Sequence, residues 1–529
     1  MRMTTFLRGF GFAALLAVAG CKSLDITNPN DPDSDRALSD PEDIEAFVGG
    51  AMGEWFNTFV GTVGGGPLVT QAQTYTSAWN NSNMLFYSSI DLDGTRNTRG
   101  WQNSPSAASR GSIEWYWEGY YRSMGLSNLV LKAIKVEGKV VVSESQTRRA
   151  EALAEFVRAV SLAGIALNYD KGYILNETSD LGNLVYYHRA IVRDSAIAGF
   201  ERVIALATAN SFDTPTDWTN GGPSYSNDDI VKLANTAAAY TLANWPRDSV
   251  EAINNVDWAA VVSYASQGLS NGADVDFIIN ADGTNLWSDM LYWFNGIDGG
   301  RVDTRVAAML DPATQTHPYP AGGNPQPDSP DDRLGDGSFG DASMTAPEGL
   351  FGTVPKTANA GTDFAWSSVE IFDPSRGTYH QSNIGHIRYD FTGVQGDEGP
   401  YGGKGPTYMF SAGQNDLLWA EGLLRQPAGD LTQAAALINN TRVGRGNLAP
   451  ASGAESRTAL QAKWSYEMEI EVLGLGAASY YHRRRAGGGL ITGTPREMPV
   501  PAKELGVFGQ PLYTFGGGLN PANSSPTPP

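Results

Sequence analysis

Two stretches of this chain set aromatic rings beside carboxamides in loop-forming sequence. In QAQTYTSAWNNSN they are Tyr75, Trp79, Asn80 and Asn81, and Trp101 and Asn103 follow in the same Gly- and Ser-rich region. In NLWSDMLYWFNG they are Trp287, Tyr292, Trp293 and Asn295. An indole or phenol ring offers a flat apolar plate with few rotors to freeze, and neighbouring amides can bond hydroxyl groups. That pairing suits a ligand with C–H faces and many hydroxyls, as a sugar ring has. The expected ligand contacts are Tyr75, Trp79, Asn80, Trp101, Trp287, Tyr292 and Trp293. The same residue types also serve as core anchors for irregular loops, and Trp293 and Phe294 fit that role equally well. Trp117 and Tyr121 share the apolar stripe of a helix and are expected in its core.

Catalytic patterns are weaker. Gly268-Leu269-Ser270-Asn271-Gly272 has the spacing of a nucleophile elbow, but that turn needs a strand before the serine and a helix after it. Here a helical stripe precedes and a Gly/Asp-rich loop follows, so a helix C-terminus is expected. Gly335-Asp336-Gly337-Ser338-Phe339-Gly340 has the spacing of a dinucleotide loop without a preceding strand. The histidines, His188, His317, His380, His386 and His482, form no zinc-type spacing. Asp31, Asp33 and Asp35, or Asp91 and Asp93, leave a calcium loop incomplete and read as solvated turns. No cofactor, metal or catalytic residue is expected. A carboxylate pair for glycoside hydrolysis is a spatial arrangement, so a surface-anchored glycan hydrolase stands as the alternative. Glu467, Glu469 and Glu471 are the densest acidic cluster on a helix.

The chain start bears on where such chemistry would happen. Arg2 and Arg8 precede and flank an apolar run from Gly9 to Val18, followed by Ala19, Gly20 and Cys21, the only cysteine of 529 residues. This is the layout of a secretory signal. Val18-Ala19-Gly20-Cys21 looks like a lipobox, with Cys21 as the lipidation site. Two acyl chains hold a protein stably to a bilayer, at about 0.8 kcal/mol per buried CH2. Without another cysteine the exported body has no disulfide and must rely on a large core. A net charge of −20 argues against nucleic acid as a partner.

Apolar residues at helical spacing predict helices over 41–59, 149–169, 194–208, 229–243, 257–269, 412–425, 430–442 and 457–473, with another around Trp117 to Leu131. Residues 60–112 read as a long structured loop. Helices alternating with polar loops suggest a mostly α, helix-turn-helix repeat scaffold. Residues 271–405 break the pattern with Gly, Pro, Asp and Ser, too long for a passive connection. They read as a loop-rich subdomain with short strands such as 384–391. The Pro/Gly-rich end is expected to wrap the surface.

Several segments in order resemble the SusD/RagB family of outer-membrane nutrient-uptake lipoproteins. These are CKSLDITNPNDP after the lipobox, WEGYYRSMGLSNLVLKAI, AEALAEFVRAVSLAGIALNY, RVDTRVAAMLDP, NDLLWAEGLL with AAALINNTRVGRG, and EMEIEVLGLGAASYYHRRRAGG with GTPREMPVPAKEL. Leu475 to Ala478 depart from the more polar string usual there, and 271–405 has no motif match. The resemblance implies a tetratricopeptide-like helical scaffold and no enzymatic activity. It implies a lid over a SusC-like TonB-dependent barrel that delivers oligomeric nutrient, most often glycan, at the outer membrane. It divides the chain into a signal peptide (1–20), an N-terminal scaffold (21–270), a ligand-facing subdomain (271–405) and C-terminal helices with a tail (406–529). It also makes Glu467, Glu469 and Glu471 structural partners for Arg442, Arg483 or Arg484.

Overall fold

The computed structural model describes residues 40–76, 83–88, 100–271, 276–294, 300–317, 325–338, 357–368, 380–389, 403–486, 489–491 and 493–516, with Leu38 and Asp274. Cys21, Trp79, Asn80, Asn81, Asn295 and both candidate calcium runs lie outside them.

Helices dominate. In chain order they are α1 (Pro41–Val60), α2 (Thr62–Gln71), α3 (Met84–Ser88), α4 (Gly111–Leu131), α5 (Glu144–Asn168), α6 (Arg189–Ala209), α7 (Asn227–Asn244), α8 (Ser249–Asn254) and α9 (Trp258–Ala265). After the loop-rich region come α11 (Ala412–Arg425), α12 (Leu431–Arg442), α13 (Arg457–Glu471), α14 (Ala478–Arg485) and α15 (Ala502–Val507), and α10 (Thr304–Leu310) lies within it. Packing runs from neighbour to neighbour: α1 on α4, α4 on α5, α5 on α6, α6 on α7, α7 on α9, α9 on α11, then α12 and α13. This is the stacked helix-pair scaffold that the stripes predict. Among the described residues no helix is long and apolar enough to cross a membrane.

Capping explains where the helices begin. Ser143 caps α5 by accepting from the Gln146 amide, and Ser226 and Asp229 form a reciprocal capping box on α7. Small residues explain the close approaches. A Cβ on Gly199 of α6 would lie 2.7 Å from the Ala159 Cβ of α5, and one on Gly164 of α5 would enter the Tyr120 ring of α4.

The region 60–112 departs from the loop expectation, because TVGGGPLVTQ is the helix α2. Three glycines and Pro67 give it poor intrinsic propensity. Tertiary packing overrides that: nearly the whole helix is buried, and a Cβ on Gly64 would come within 2.8 Å of the Tyr116 ring on α4. The glycines are what lets this helix lie against an aromatic face.

The strands are short and pair two by two. β1 (Tyr75–Thr76) pairs with β5 (Arg301–Val302), β2 (Lys171–Gly172) with β3 (Tyr187–His188), and β6 (Phe364–Trp366) with β7 (Ile384–His386), all antiparallel. β4 (Phe277–Asp282) pairs with β8 (Lys404–Phe410), with Phe277 opposite Phe410 and Asp282 opposite Lys404. The loop-rich region therefore leaves and re-enters the scaffold on one ladder. Phe277 and Phe410 anchor that ladder by stacking on Trp55 of α1, at 6.2 and 6.3 Å between ring centres.

Candidate ligand-binding face

The β4–β8 ladder ends at a loop that carries the second aromatic stretch. Asp282 starts the loop by accepting the amides of Thr284, Asn285 and Leu286 through one carboxylate oxygen. Asn57 of α1 then holds it from below, donating to the Asn285 carbonyl at 3.0 Å and accepting from the Trp287 amide at 3.3 Å. A π-helical turn over Met290–Phe294 follows, with Met290, Leu291 and Phe294 buried.

That turn brings Trp287, Tyr292 and Trp293 together. The Trp287 and Tyr292 ring centres are 5.0 Å apart, and Tyr292 meets Trp293 edge-on at 4.6 Å. All three are half-buried, and Trp293 also packs against the core. Two contacts set the Trp287 plane. Its Nε1 donates to Asp289 Oδ1 at 2.9 Å, and Asp289 Oδ2 accepts the Thr62 amide at 2.9 Å. Burial pushes the Asp289 carboxyl up, against hydrogen bonds from Thr62 and Trp287 that favour its charged form. On one ring face lies the backbone of Gly403 with φ of +57°, where a Cβ would stand 2.9 Å from the indole. A side chain there would be strained by both the backbone angle and the ring. Thr284 and Asn285 are exposed at the loop tip.

Sequence reasoning named the rings and missed their supports, Asn57, Asp289 and Gly403. The Trp-x-Asp spacing of 287–289 was a local signal for one of them. Asn57 and Gly403 are far away in the chain and carried none.

Two expected contacts are corrected. Tyr75 is 0% exposed in β1, with its hydroxyl 2.9 Å from His386 Nδ1 and its ring 4.6 Å from Phe294. Trp101 is 2% exposed: its Nε1 donates to the Glu497 carbonyl at 2.9 Å and its backbone amide to the Phe515 carbonyl. Asn103 donates to the carbonyls of Val500 and Tyr513. Rings with a polar tip bury well when that tip finds a carbonyl. Trp101 and Asn103 thus fasten the C-terminal tail instead of meeting a ligand. Trp117 is buried and Tyr121 half-buried, as their stripe predicts.

The acidic cluster is a fastening as well. Glu467 reaches Arg333 at 2.8 Å and Arg442 at 3.3 Å; Glu469 reaches Arg483 at 2.8 Å and Arg305 at 2.9 Å. Glu471 reaches Arg388 at 2.7 Å and Arg445 at 3.3 Å. Burial raises the Glu467 carboxyl, the direction a general acid needs, yet its side chain is 0% exposed and accepts from Arg333 and Thr441. The expectation for Arg442 and Arg483 holds. Arg484 differs: its guanidinium donates to the carbonyls of Leu167, Arg496 and Asn244, while Arg485 pairs with Glu421. Neighbours on a helix point about 100° apart, so the run Arg483-Arg484-Arg485 serves three different surroundings.

The elbow-like sequence, His188 and His482 have structural roles. α9 ends at Ala265 just before Gly268, and Ser270 Oγ donates to Asp416 Oδ1 at 2.9 Å. His188 caps α6, and His482 is buried beside Trp464. A cleft of about 380 Å3 between α5 and α6 is lined by Lys135, Arg158, Glu177 and Arg202, and it offers paired charges but no ring.

No known family pattern matches the chain, and no curated protein does. Solved structures do match over most of its length. A SusD-like carbohydrate binding protein from Bacteroides fragilis is similar over 84% of this chain and 86% of its own, at 12% identity and a TM-score of 0.53. A SusD superfamily protein from Bacteroides vulgatus is similar over 88% and 97%, at 13% identity and 0.54. A SusD-like carbohydrate binding protein from the same species is similar over 84% and 83%, at 14% identity and 0.52. The fold is SusD-like. In that SusD-like frame, the face built by Trp287, Tyr292 and Trp293 belongs to the loop-rich region that leaves and rejoins the helices on β4 and β8.

Proposed function

We propose that this SusD-like chain is a surface lipoprotein, anchored through Cys21 at the outer membrane. It captures an oligosaccharide and delivers it to a SusC-like TonB-dependent transporter, without catalysing a reaction. The observation that carries the binding part is the half-buried cluster of Trp287, Tyr292 and Trp293 on a loop braced by Asn57 and Asp289. It keeps plates and amides in place before a ligand arrives, which lowers the ordering cost of binding. Two of the similar folds are described as carbohydrate binding proteins, which supports a glycan. The lipobox and the family resemblance support the anchor and the transporter partner.

The test is an affinity-gel and glycan-array screen of the purified protein beside Trp287→Ala and Tyr292→Ala. Retention by a glycan that either variant loses, with an unchanged helical spectrum, supports capture on this face. Retention that both variants keep would move the site elsewhere. Palmitate labelling that disappears in Cys21→Ser tests the anchor separately.

A further inference from the structure

The geometry points to a divalent transition-metal site of the zinc class formed by Asp303, His317 and His380. These residues are remote in sequence, yet one donor atom from each lies within 4.8 Å of the other two. The imidazole rings of His317 and His380 meet edge-on at 5.3 Å, and His317 Nδ1 is 3.7 Å from Asp303 Oδ1. The site is independent of what the aromatic face binds.

Each donor is placed by the start of α10. Asp303 is the N-cap of that helix; its Oδ1 accepts the Arg305 amide at 2.9 Å, and its own amide donates to the Thr74 carbonyl. The Thr304 amide donates to the His380 carbonyl at 2.7 Å, which fixes His380 beside the cap. The Thr304 hydroxyl lies 2.7 Å from His317 Nδ1, so the loop after α10 turns back onto the same point. Asp303 and His380 are buried, whereas His317 is exposed and gives an ion a way in. Arg305 and Arg483 lie close by, but Glu469 pairs with both, so they do not leave the site with two uncompensated positive charges.

Two imidazoles and one carboxylate select zinc-class ions over calcium and magnesium, which prefer all-oxygen shells. In a tetrahedral zinc shell two donors lie about 3.4 Å apart. Donors that now lie within 4.8 Å of one another must therefore close by up to about 1.4 Å, through side-chain rotation at the site. Three protein ligands leave a fourth position for water. A bound ion would clip the post-α10 loop and the segment before β7 to the β5–α10 junction.

The experiment uses the purified full-length protein stripped with EDTA. Zinc is titrated calorimetrically, cobalt is followed by its visible ligand-field absorption, and Ca2+ serves as the hard-ion control. The expected result is one Zn2+ per chain, a low-symmetry Co2+ spectrum and a higher melting temperature with zinc. His317→Ala, an exposed change that leaves the fold intact, should weaken zinc binding by about tenfold or more and abolish the thermal shift. His380→Gln should do the same if it folds. Absence of stoichiometric zinc binding, a preference for calcium, or equal zinc affinity in His317→Ala would overturn the proposal.

Discussion

Arg333 and Glu467 meet at 2.8 Å with neither side chain exposed, and the pair joins the loop-rich region to helix α13. Asp331 and Glu471 complete the same guanidinium's surroundings, at 2.8 and 3.2 Å. One helical turn separates Glu467 from Glu471, so a single face of α13 holds Arg333, Arg388, Arg442 and Arg445. This explains how the segments that carry Arg333 and Arg388 are held against a helical scaffold.

Removing one partner of such a pair leaves an uncompensated buried charge. Arg333→Met should therefore destabilise the protein by about 3–5 kcal/mol. Glu467→Gln, which keeps a hydrogen-bonding group, should cost less. Urea unfolding followed by circular dichroism measures both, and a loss below the scatter of the midpoint for Arg333→Met would contradict the role given to the pair.

Acid should weaken the fold through α13 and α14. Burial pushes the Glu471 carboxyl up, and Arg388, Arg445 and Arg333 overcome this to hold it at about 2. Arg305 and Arg483 do the same for Glu469, also to about 2. For these depressed carboxylates the stability is present above the unfolded value near 4.5 and is lost as pH falls toward 2. Burial lowers His482 to about 4, so between its ordinary value of 6.5 and 4 the unfolded chain takes up a proton that the folded one refuses. All three have the same sign. Melting temperature should fall as pH drops below about 4.5, where the two glutamates act, and His482→Gln should remove the separate acid-side loss that His482 contributes between 6.5 and 4.

Asp170 runs the other way. Burial, helped by the nearby charge of Glu497, raises its carboxyl to about 7, and the Tyr513 hydroxyl lies 2.8 Å from it. The folded state then holds a proton that the unfolded chain releases near 3.8, and this favours folding at low pH. The contribution fades as pH rises through about 7. Proteolysis of the C-terminal tail should increase from pH 6 to pH 8 (roughly one unit either side of that midpoint), and Asp170→Asn should remove the dependence.

Gly164→Ala sets helix propensity against packing. Alanine in a helix interior gains about 1 kcal/mol over glycine. The added methyl would enter the Tyr120 ring across the α4–α5 contact, and overpacking typically costs about 1–3 kcal/mol. Packing should win, so the variant should melt lower than the parent. A rise in melting temperature would show that Tyr120 has room to move.

If the proposed capture on this face holds, Trp287→Ala should weaken glycan retention by about tenfold, roughly 1.4 kcal/mol. Tyr75→Phe should leave retention unchanged, since the Tyr75 ring is sealed against Phe294 and His386. Affinity electrophoresis on one gel compares them directly.

The helical scaffold was legible in the sequence because amphipathic stripes are local: α5, α7, α11 and α12 begin and end within a few residues of their predicted bounds. Helix α2 was hidden because its glycines oppose helix propensity, and only the aromatic face of α4 makes that opposition worthwhile. The aromatic residues of the candidate face could be read from the sequence as well. Which rings stay accessible was decided by tertiary structure, since Tyr75 and Trp101 differ from Trp287 only in what the distant segments at His386, Glu497 and Phe515 place over them. The same holds for Asp303, His317 and His380. No spacing along the chain relates them; the fold brings them together because a backbone hydrogen bond ties the start of α10 to the segment before β7 and the Thr304 hydroxyl meets His317. Sequence by itself determined what each helix face could bury, because periodicity acts over a few residues. The third dimension alone decided which polar and aromatic groups meet, because those meetings depend on contacts between segments far apart in the chain.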